Sequence, residues 1–412
     1  MSAASQHNLL AAASTLQACD ETIEFMPRHL WWRRRHEIVA VLLALSFAGC
    51  RQPPQSGTPA TTKFGVEVKS GPMDTVLLKD YKPESSLVVP TSQLEMAAAP
   101  VIDVHTHSSM NNIKTAADVD EWVRVMDKMG IRTSVVFTDA IGDEFDRQAD
   151  LFLRSHPGRF QVWCGLNTAG IDDPNYPQKA AQELERCYRK GARGVGELSD
   201  KGWGFDGGPD NHRPMGQRLH ADDPRLDAFW RKCAELKIPV NVHIADHPSC
   251  WKPLGPSQER HPDFQAFNLY GKPVPSYEEL LSRRDQLLAR HPNTTFILCH
   301  LSNQGNDTEA LGRVLDRYPN AYLDISARDY EIGRQPRAAA RFLTKYQRRV
   351  LFGTDMGREP SMYQMWWRLL ETGDEYLPGR TGWRLYGLEL PAPILRRLYL
   401  ENAEQLLNWS KP

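Results

Sequence analysis

The chain has 412 residues, with 50 Lys and Arg against 51 Asp and Glu and a net charge of −1. Such an even balance supplies no basic groove for a nucleic acid, and the length suits one large domain with loop insertions. Seven cysteines scattered along the chain do not make a disulfide framework, and no P-loop or dinucleotide fingerprint is present.

The first residues read as an export signal. Trp31-Trp32-Arg33-Arg34-Arg35 is a positive flank, the apolar run from Ile38 to Ala48 is too short to span a bilayer, and Phe47-Ala48-Gly49-Cys50 has the form of a bacterial lipobox. Residues 1–49 are therefore expected to be a signal region, with Met26 as an alternative start, and cleavage before Cys50 would leave a lipidated cysteine. Residues 50–63, rich in Pro, Gln, Ser, Gly and Thr, read as a flexible tether, and 64–99 as an extended entry segment. The expectation is an exported protein of a bacterium, periplasmic or on the outer membrane, held to the membrane by a lipid anchor at Cys50.

Residues 100–412 alternate short apolar runs with segments of helical period. Eight strands are predicted: Val101 to His107, Arg132 to Asp139, Phe160 to Asn167, Ala192 to Ser199, Pro239 to Ala245, Thr294 to Leu301, Ala321 to Ser326, and Val350 to Asp355. Helical segments lie between them, among them Ala116 to Met129, Tyr176 to Lys190, Pro224 to Leu236, Tyr277 to Arg290 and Thr308 to Tyr318. Several end in breakers such as Gly130, His156-Pro157-Gly158 and His291-Pro292-Asn293. Eight buried parallel strands with crossover helices predict an α/β fold, a single (β/α)8 TIM barrel, whose active residues gather at the C-terminal strand ends.

Five pieces occupy those ends: Asp103-Val104-His105-Thr106-His107, Glu197, His243, His300 and Gly353-Thr354-Asp355. Imidazoles at i and i+2 of a strand project to the same side, so His105 and His107 can grip one ion together. A third imidazole and a carboxylate complete an N and O donor set that suits zinc, and also manganese or iron, better than calcium or magnesium, with a position open for water. Taken singly, a His-x-His is often a chance pair and a Gly-Thr-Asp merely a turn. Their joint placement at the ends of strands one, four, five, six and eight makes them a metal site.

In this order and spacing the chain resembles the amidohydrolase superfamily over roughly residues 100–409, within it the group that includes aminocarboxymuconate semialdehyde decarboxylase, related aromatic-acid decarboxylases and some lactonases. The final helix, Ile394-Leu395-Arg396-Arg397-Leu398-Tyr399-Leu400-Glu401-Asn402-Ala403, resembles the closing helix of that group. The resemblance implies that His105, His107, His243 and Asp355 bind a divalent metal ion. It gives Asp355 a second task, accepting a proton from the activated water, and makes His300 a catalytic histidine that polarises a substrate carbonyl. One departure stands out. Many binuclear members carry a carboxylated lysine at the end of strand four, where this chain has Glu197 in Val195-Gly196-Glu197-Leu198. TatD-like nucleases use a glutamate there to touch the metals. Glu197 thus either bridges a second ion or stands beside a single one as a substrate-facing or salt-bridged carboxylate, and the rest of the pattern favours the single ion.

Substrate contacts are expected from three long segments: Asp200 to Asp223, with Trp203, His212, Arg213 and His220; Asp246 to Ser276, with His247 and Trp251; and Gly357 to Pro393, with Arg358, Tyr363, Trp366 and Trp367. Trp203 and Arg213 are candidate substrate contacts. Arg328, after strand seven, either pairs with a substrate carboxylate or forms a salt bridge to Asp329 or another acid. Trp366 and Trp367 read in part as packing. Cys164 and Cys299 read as core and Cys250 as the reactive candidate, while His156, His261 and His291 read as surface residues before proline. The function expected is a metal-dependent hydrolase that cleaves an ester, lactone or amide of a small molecule with metal-activated water. The alternatives are a metal-dependent non-oxidative decarboxylase of an aromatic or unsaturated acid, for which Arg328 would be the carboxylate clamp, and a non-catalytic surface lipoprotein, which would have no need of the whole ligand set.

Overall fold

The computed structural model describes residues 70–407, apart from 78–79, 83, 208–212, 256–257, 259–264 and 380–382. The expected signal region, the Cys50 anchor, the tether, His212 and His261 lie outside the described residues. The chain divides into two compact units, Met1–Ser86 and Leu87–Pro412. The described part of the first carries a 3-10 turn, Pro72–Thr75. No helix among the described residues is long and apolar enough to cross a membrane.

The second unit is the barrel. Its strands are β1 (Val101–His107), β2 (Ile131–Phe137), β3 (Phe160–Trp163), β4 (Val195–Asp200), β5 (Val240–Ile244), β6 (Phe296–Leu298), β7 (Ala321–Asp324) and β8 (Val350–Leu351). They pair in parallel as β1-β2-β3 and β4-β5-β6-β7-β8. Two seams join these sheets into a ring. At one, Cys164 bridges Val195, and Cys164 N donates to Gly194 O at 3.1 Å. At the other, Val104 N donates to Phe352 O at 3.0 Å and Asp355 N to His105 O at 2.8 Å.

Glycines permit both close approaches. A Cβ on Gly194 would stand 2.3 Å from the Trp163 ring, and one on Gly353 would stand 2.8 Å from the His105 Cβ.

Helices surround the strands: α1 (Ala116–Met129), α2 (Gly142–Ser155), α3 (Tyr176–Arg189), α4 (Asp227–Leu236), α5 (Tyr277–Arg290), α6 (Thr308–Arg317), α7 (Asp329–Arg334), α8 (Pro336–Lys345) and α9 (Pro360–Glu371). Local chemistry sets their ends. Thr115 and Asp118 form a capping box at the start of α1, which stops at Gly130 with φ 79°, and Ser276 and Glu279 repeat the box on α5. The apolar faces of the helices bury Trp122, Phe152, Trp230 and Leu287 in one cluster with Val136, Val162 and Phe296 of the strands. A second cluster gathers Ile102, Val104, Val135, Phe137, Trp163, Ile297 and Leu351 with Leu400, Ala403 and Leu407. Residues from five strands meet this way only inside the ring. The last helical segment closes its lower end: Asn402 Nδ2 donates to Val350 O at 2.7 Å, and Arg132 pairs with Glu404 at 2.6 Å, both where strands begin.

Several expectations are corrected. Strands three, six, seven and eight are shorter than read, although Cys164 and the residues after Leu351 still bond to their neighbours across the two seams. The segment after strand eight is largely ordered, holding α9 and a small antiparallel pair, Leu377–Pro378 with Arg384–Leu385. Tyr363, Trp366 and Trp367 on α9 are buried. His291 is buried rather than exposed, with its Nε2 at 3.0 Å from Asp227 Oδ1. Cys250 is fully buried, which removes the accessibility that a reactive thiol needs.

Candidate metal centre

The expected ligand residues converge at the C-terminal mouth. His105 and His107 reach inward from β1 with Nε2 atoms 3.3 Å apart. Asp355 follows β8 in a left-handed conformation, φ 71°, which turns its carboxylate back toward β1. Its Oδ1 stands 3.2 Å from His107 Nε2 and 3.5 Å from His105 Nε2. Glu197, on β4, places Oε2 at 3.3 Å from His107 Nε2 and 3.9 Å from His105 Nε2. Donor atoms about 2.0–2.1 Å from a tetrahedral zinc are separated by roughly 3.3 Å. These four donors already stand near that spacing, so they fit a divalent ion.

The other oxygen of Glu197 faces a different group. Oε1 is in contact with His243 Nδ1 and stands 3.4 Å from His300 Nε2. The Cys299 thiol donates to the same oxygen at 3.4 Å. Two overlapping donor groups result, Glu197 with His243, Cys299 and His300, and Glu197 with His105, His300 and Asp355; within each, the donor atoms lie within 4.8 Å of one another. His243 thus sits on the far side of Glu197 from the His105–His107 pair. Its Nε2 is buried without a hydrogen-bond partner, so Nδ1 is the nitrogen turned to the carboxylate.

His300 is not in strand six. It opens a run of four left-handed residues, His300, Leu301, Ser302 and Asn303, with φ between 52° and 56°. None is glycine, and such a run is costly unless its surroundings fix it. They do: Asn303 Nδ2 donates to Ile244 O and Ala245 O, Tyr277 OH to Asn303 O, and Arg284 Nη1 to Ser302 Oγ.

Further polar residues support the ligands, Asp324 and Asp139 unread in the sequence and Asp103 part of the first motif but given no role there. Asp324, fully buried on β7, accepts from His105 Nδ1 at 3.0 Å, Asn241 Nδ2 at 3.0 Å and His300 N at 3.0 Å. Asp103 accepts from Thr354 N and Oγ1 at 3.1 and 2.7 Å and from Tyr363 OH at 2.8 Å, tying β1 to the Gly353–Thr354–Asp355 turn. Asp139 stands 3.6 Å from His107 Nδ1. The one available signal was an acid in an otherwise apolar strand, as in Asp324 and Asp103.

The electrostatics are those of a pocket built for cations. Burial alone would push the His105 imidazolium down, but the Asp324 charge and hydrogen bond outweigh it and raise its pKa to about 10. His107 is likewise lifted against burial, to about 12, by Asp139, Asp355 and Glu197. Burial opposes ionisation of Glu197 and Asp355 too, yet the surrounding imidazoles hold both carboxyls well below their usual range. His243 goes the other way, down to about 4, through burial and the nearby Lys201 charge. Protons on His105 and His107 occupy the place of positive charge that a divalent ion would take.

The expected substrate contacts have partners of their own. Arg213 pairs with Asp172 at 2.7 Å and Asp206 at 3.1 Å. Trp203 lies under the Arg218 guanidinium, 5.3 Å from the ring centre. Arg328 is buried, bonded to Asn303 and to its own Ala327 O, and faces Asp246 at 3.8 Å and Glu331 at 3.9 Å. Its acidic neighbours include these two. Lys201, 40% exposed, stands 3.7 Å from Asp246 Oδ2.

The fold and the donor set define a metal-dependent barrel enzyme acting on a small molecule. The chain belongs to the amidohydrolase family, whose model matches residues 102–409. No match was found among curated proteins. Solved structures of like fold include a TIM-barrel protein from Bordetella bronchiseptica, at 18% identity and TM-score 0.46, covering 75% of this chain and 99% of that one. Another is 2,6-dihydroxybenzoate decarboxylase from Rhizobium, at 17% identity and TM-score 0.47, with 75% and 99% covered. A third is 5-carboxyvanillate decarboxylase from Novosphingobium aromaticivorans complexed with manganese, at 13% identity and TM-score 0.45, with 77% and 100% covered. At such distances the likeness does not extend to this chain's substrate.

Proposed function

We propose that the protein is a metal-dependent hydrolase of an ester, lactone or amide, with two divalent ions, zinc first among the candidates, bridged by Glu197. The observation that carries this reading is the division of the Glu197 carboxylate, with Oε2 toward His105 and His107 and Oε1 toward His243 and His300. His105, His107 and Asp355 would hold one ion, and His243 and His300 the other, which makes His300 a ligand rather than the carbonyl-polarising group. Cys299 keeps its proton, since burial and the Glu197 charge push its thiol pKa well up, and it serves as a hydrogen-bond donor to Glu197.

Bound ions supply positive charge that acidifies water and polarises a carbonyl oxygen. The chain's residues do the rest. Asp355 is the more open of the two carboxylates, its side chain 25% exposed against 12% for Glu197. It takes the proton of the attacking water on its carboxylate and returns it to the leaving oxygen or nitrogen. The buried walls around His105 and His300 exclude bulk water, and the left-handed turn fixes the His300 ring.

A second reading, non-oxidative decarboxylation of an aromatic or unsaturated acid, uses the same ligands, and several solved structures of like fold are aromatic-acid decarboxylases. The feature of this chain that favours it is Lys201, an accessible cation beside the mouth that could hold a substrate carboxylate. Assaying the metal-loaded protein against lactones, esters and amides and, in parallel, against aromatic acids with carbon dioxide detection separates the two. Turnover confined to the acids, with carbon dioxide released, would replace the hydrolase reading. The proposed location, on a bacterial membrane through Cys50, is tested by metabolic labelling with a radioactive or alkyne-bearing fatty acid in wild type and Cys50→Ala.

A further inference from the structure

Asp324 makes more polar contacts in the site than any ligand requires of a supporting residue. Its Oδ2 accepts from His105 Nδ1 and Asn241 Nδ2, each at 3.0 Å. Its Oδ1 accepts from His300 N at 3.0 Å and Ser326 N at 3.1 Å, and also from Ser326 Oγ. That hydroxyl oxygen lies 3.1 Å from His105 Nδ1 and 2.8 Å from His300 Nδ1. The Ser326 carbonyl, 2.9 Å from His300 Nδ1, can only accept. Both imidazoles therefore carry their proton on Nδ1 and turn Nε2 to Glu197, His105 toward Oε2 at 3.9 Å and His300 toward Oε1 at 3.4 Å.

One carboxylate on β7 thus orients a ligand on β1 and another beyond β6, residues 195 apart in sequence by their numbers (105 and 300) and assigned above to different ions. A carboxylate or carbonyl behind a ligating histidine fixes its tautomer and raises its basicity. Asp324 does this directly for His105; for His300 it accepts from the backbone N and holds Ser326, whose carbonyl is the acceptor at the His300 Nδ1. The five donors to Asp324 come from β1, β5 and the ends of β6 and β7 and leave it no freedom to serve one histidine without the other. We propose that Asp324 is a shared positioning residue that couples the two ion sites, so that a change at Asp324 weakens both together. This rests on the two-ion reading of Glu197.

The full chain, stripped and titrated with cobalt(II) under visible absorption, reads each binding step and its ligand field. Asp324→Asn would turn an acceptor into an amide that cannot accept from His105, His300 and Ser326 at once. The expected result is a loss of about 10–100-fold in affinity at both steps, with altered cobalt bands. Ser326→Ala, which removes only the shared hydroxyl, should shift both steps in the same direction by less, and it decides the matter alone if Asp324→Asn does not fold. Asp374→Asn is the control, since Asp374 is a buried acid bonded to Ser92 and Arg368 away from the site; it should lower thermal stability and leave the cobalt curve unchanged. Wild-type cobalt curves in both Asp324→Asn and Ser326→Ala, or weakening of one step only, would overturn the coupling. Wild-type protein that binds no cobalt, or a single ion, would overturn the two-ion reading and this inference with it.

Discussion

Asp355 Oδ1 lies 3.2 Å from His107 Nε2, across the seam where the end of the barrel returns to its first strand. The site is therefore assembled only when the ring is closed, and the seam is as much part of it as the donors. Replacing Asp355 by Asn should lower kcat by about 10²–10⁴-fold, the range of a lost general acid–base, and release the ion held with His105 and His107. Steady-state kinetics and metal analysis check this; an active, metal-replete variant would remove Asp355 from both roles.

Gly353 makes the seam possible. A methyl group there would meet His105 Cβ at 2.8 Å, and its neighbours His105 and Ser326 are fully buried. Gly353→Ala is expected to cost about 1–3 kcal/mol of stability, as overpacking does, and to weaken metal binding by moving His105. Thermal melts with and without zinc measure both.

Metal binding should release protons. In the metal-free site His105 and His107 have pKa values of about 10 and 12 against an ordinary 6.5, so both are protonated at neutral pH and must give up protons to become ligands. The sign for stability follows. The folded values are raised, so the contribution of these imidazoles is complete below pH 6.5 and is lost as pH rises through 10. Metal-free protein should lose stability over that window more steeply than metal-loaded protein. Calorimetry in buffers of different ionisation heat should count about two protons released at pH 7. A count near zero would contradict it.

The barrel and most of the donors are legible in the sequence because both depend on short-range pattern. Apolar runs and helical periods give the strands, His105 and His107 show their common side at once, and Glu197, His243 and Asp355 sit where those runs end. What the sequence does not show is held by partners far apart along the chain. Asp324 reaches His105 across 219 residues, and Tyr363 reaches Asp103 across 260; no local pattern encodes either pairing. The left-handed turn at His300 is hidden for a related reason. Its cost is met by Tyr277, Arg284 and the end of β5, partners that lie far away along the chain. His291 reads as a surface residue before proline, yet Asp227 draws it inward.

The division of Glu197 between two donor groups is tested most directly by metal content. Elemental mass spectrometry on the full chain, purified without chelator, should find about two divalent ions per wild-type chain, and about one or fewer in Glu197→Ala with the fold retained. Wild-type protein that holds one ion, with Glu197→Ala holding the same, would contradict the bridge, and a chain that neither retains nor rebinds metal would contradict the metal centre itself.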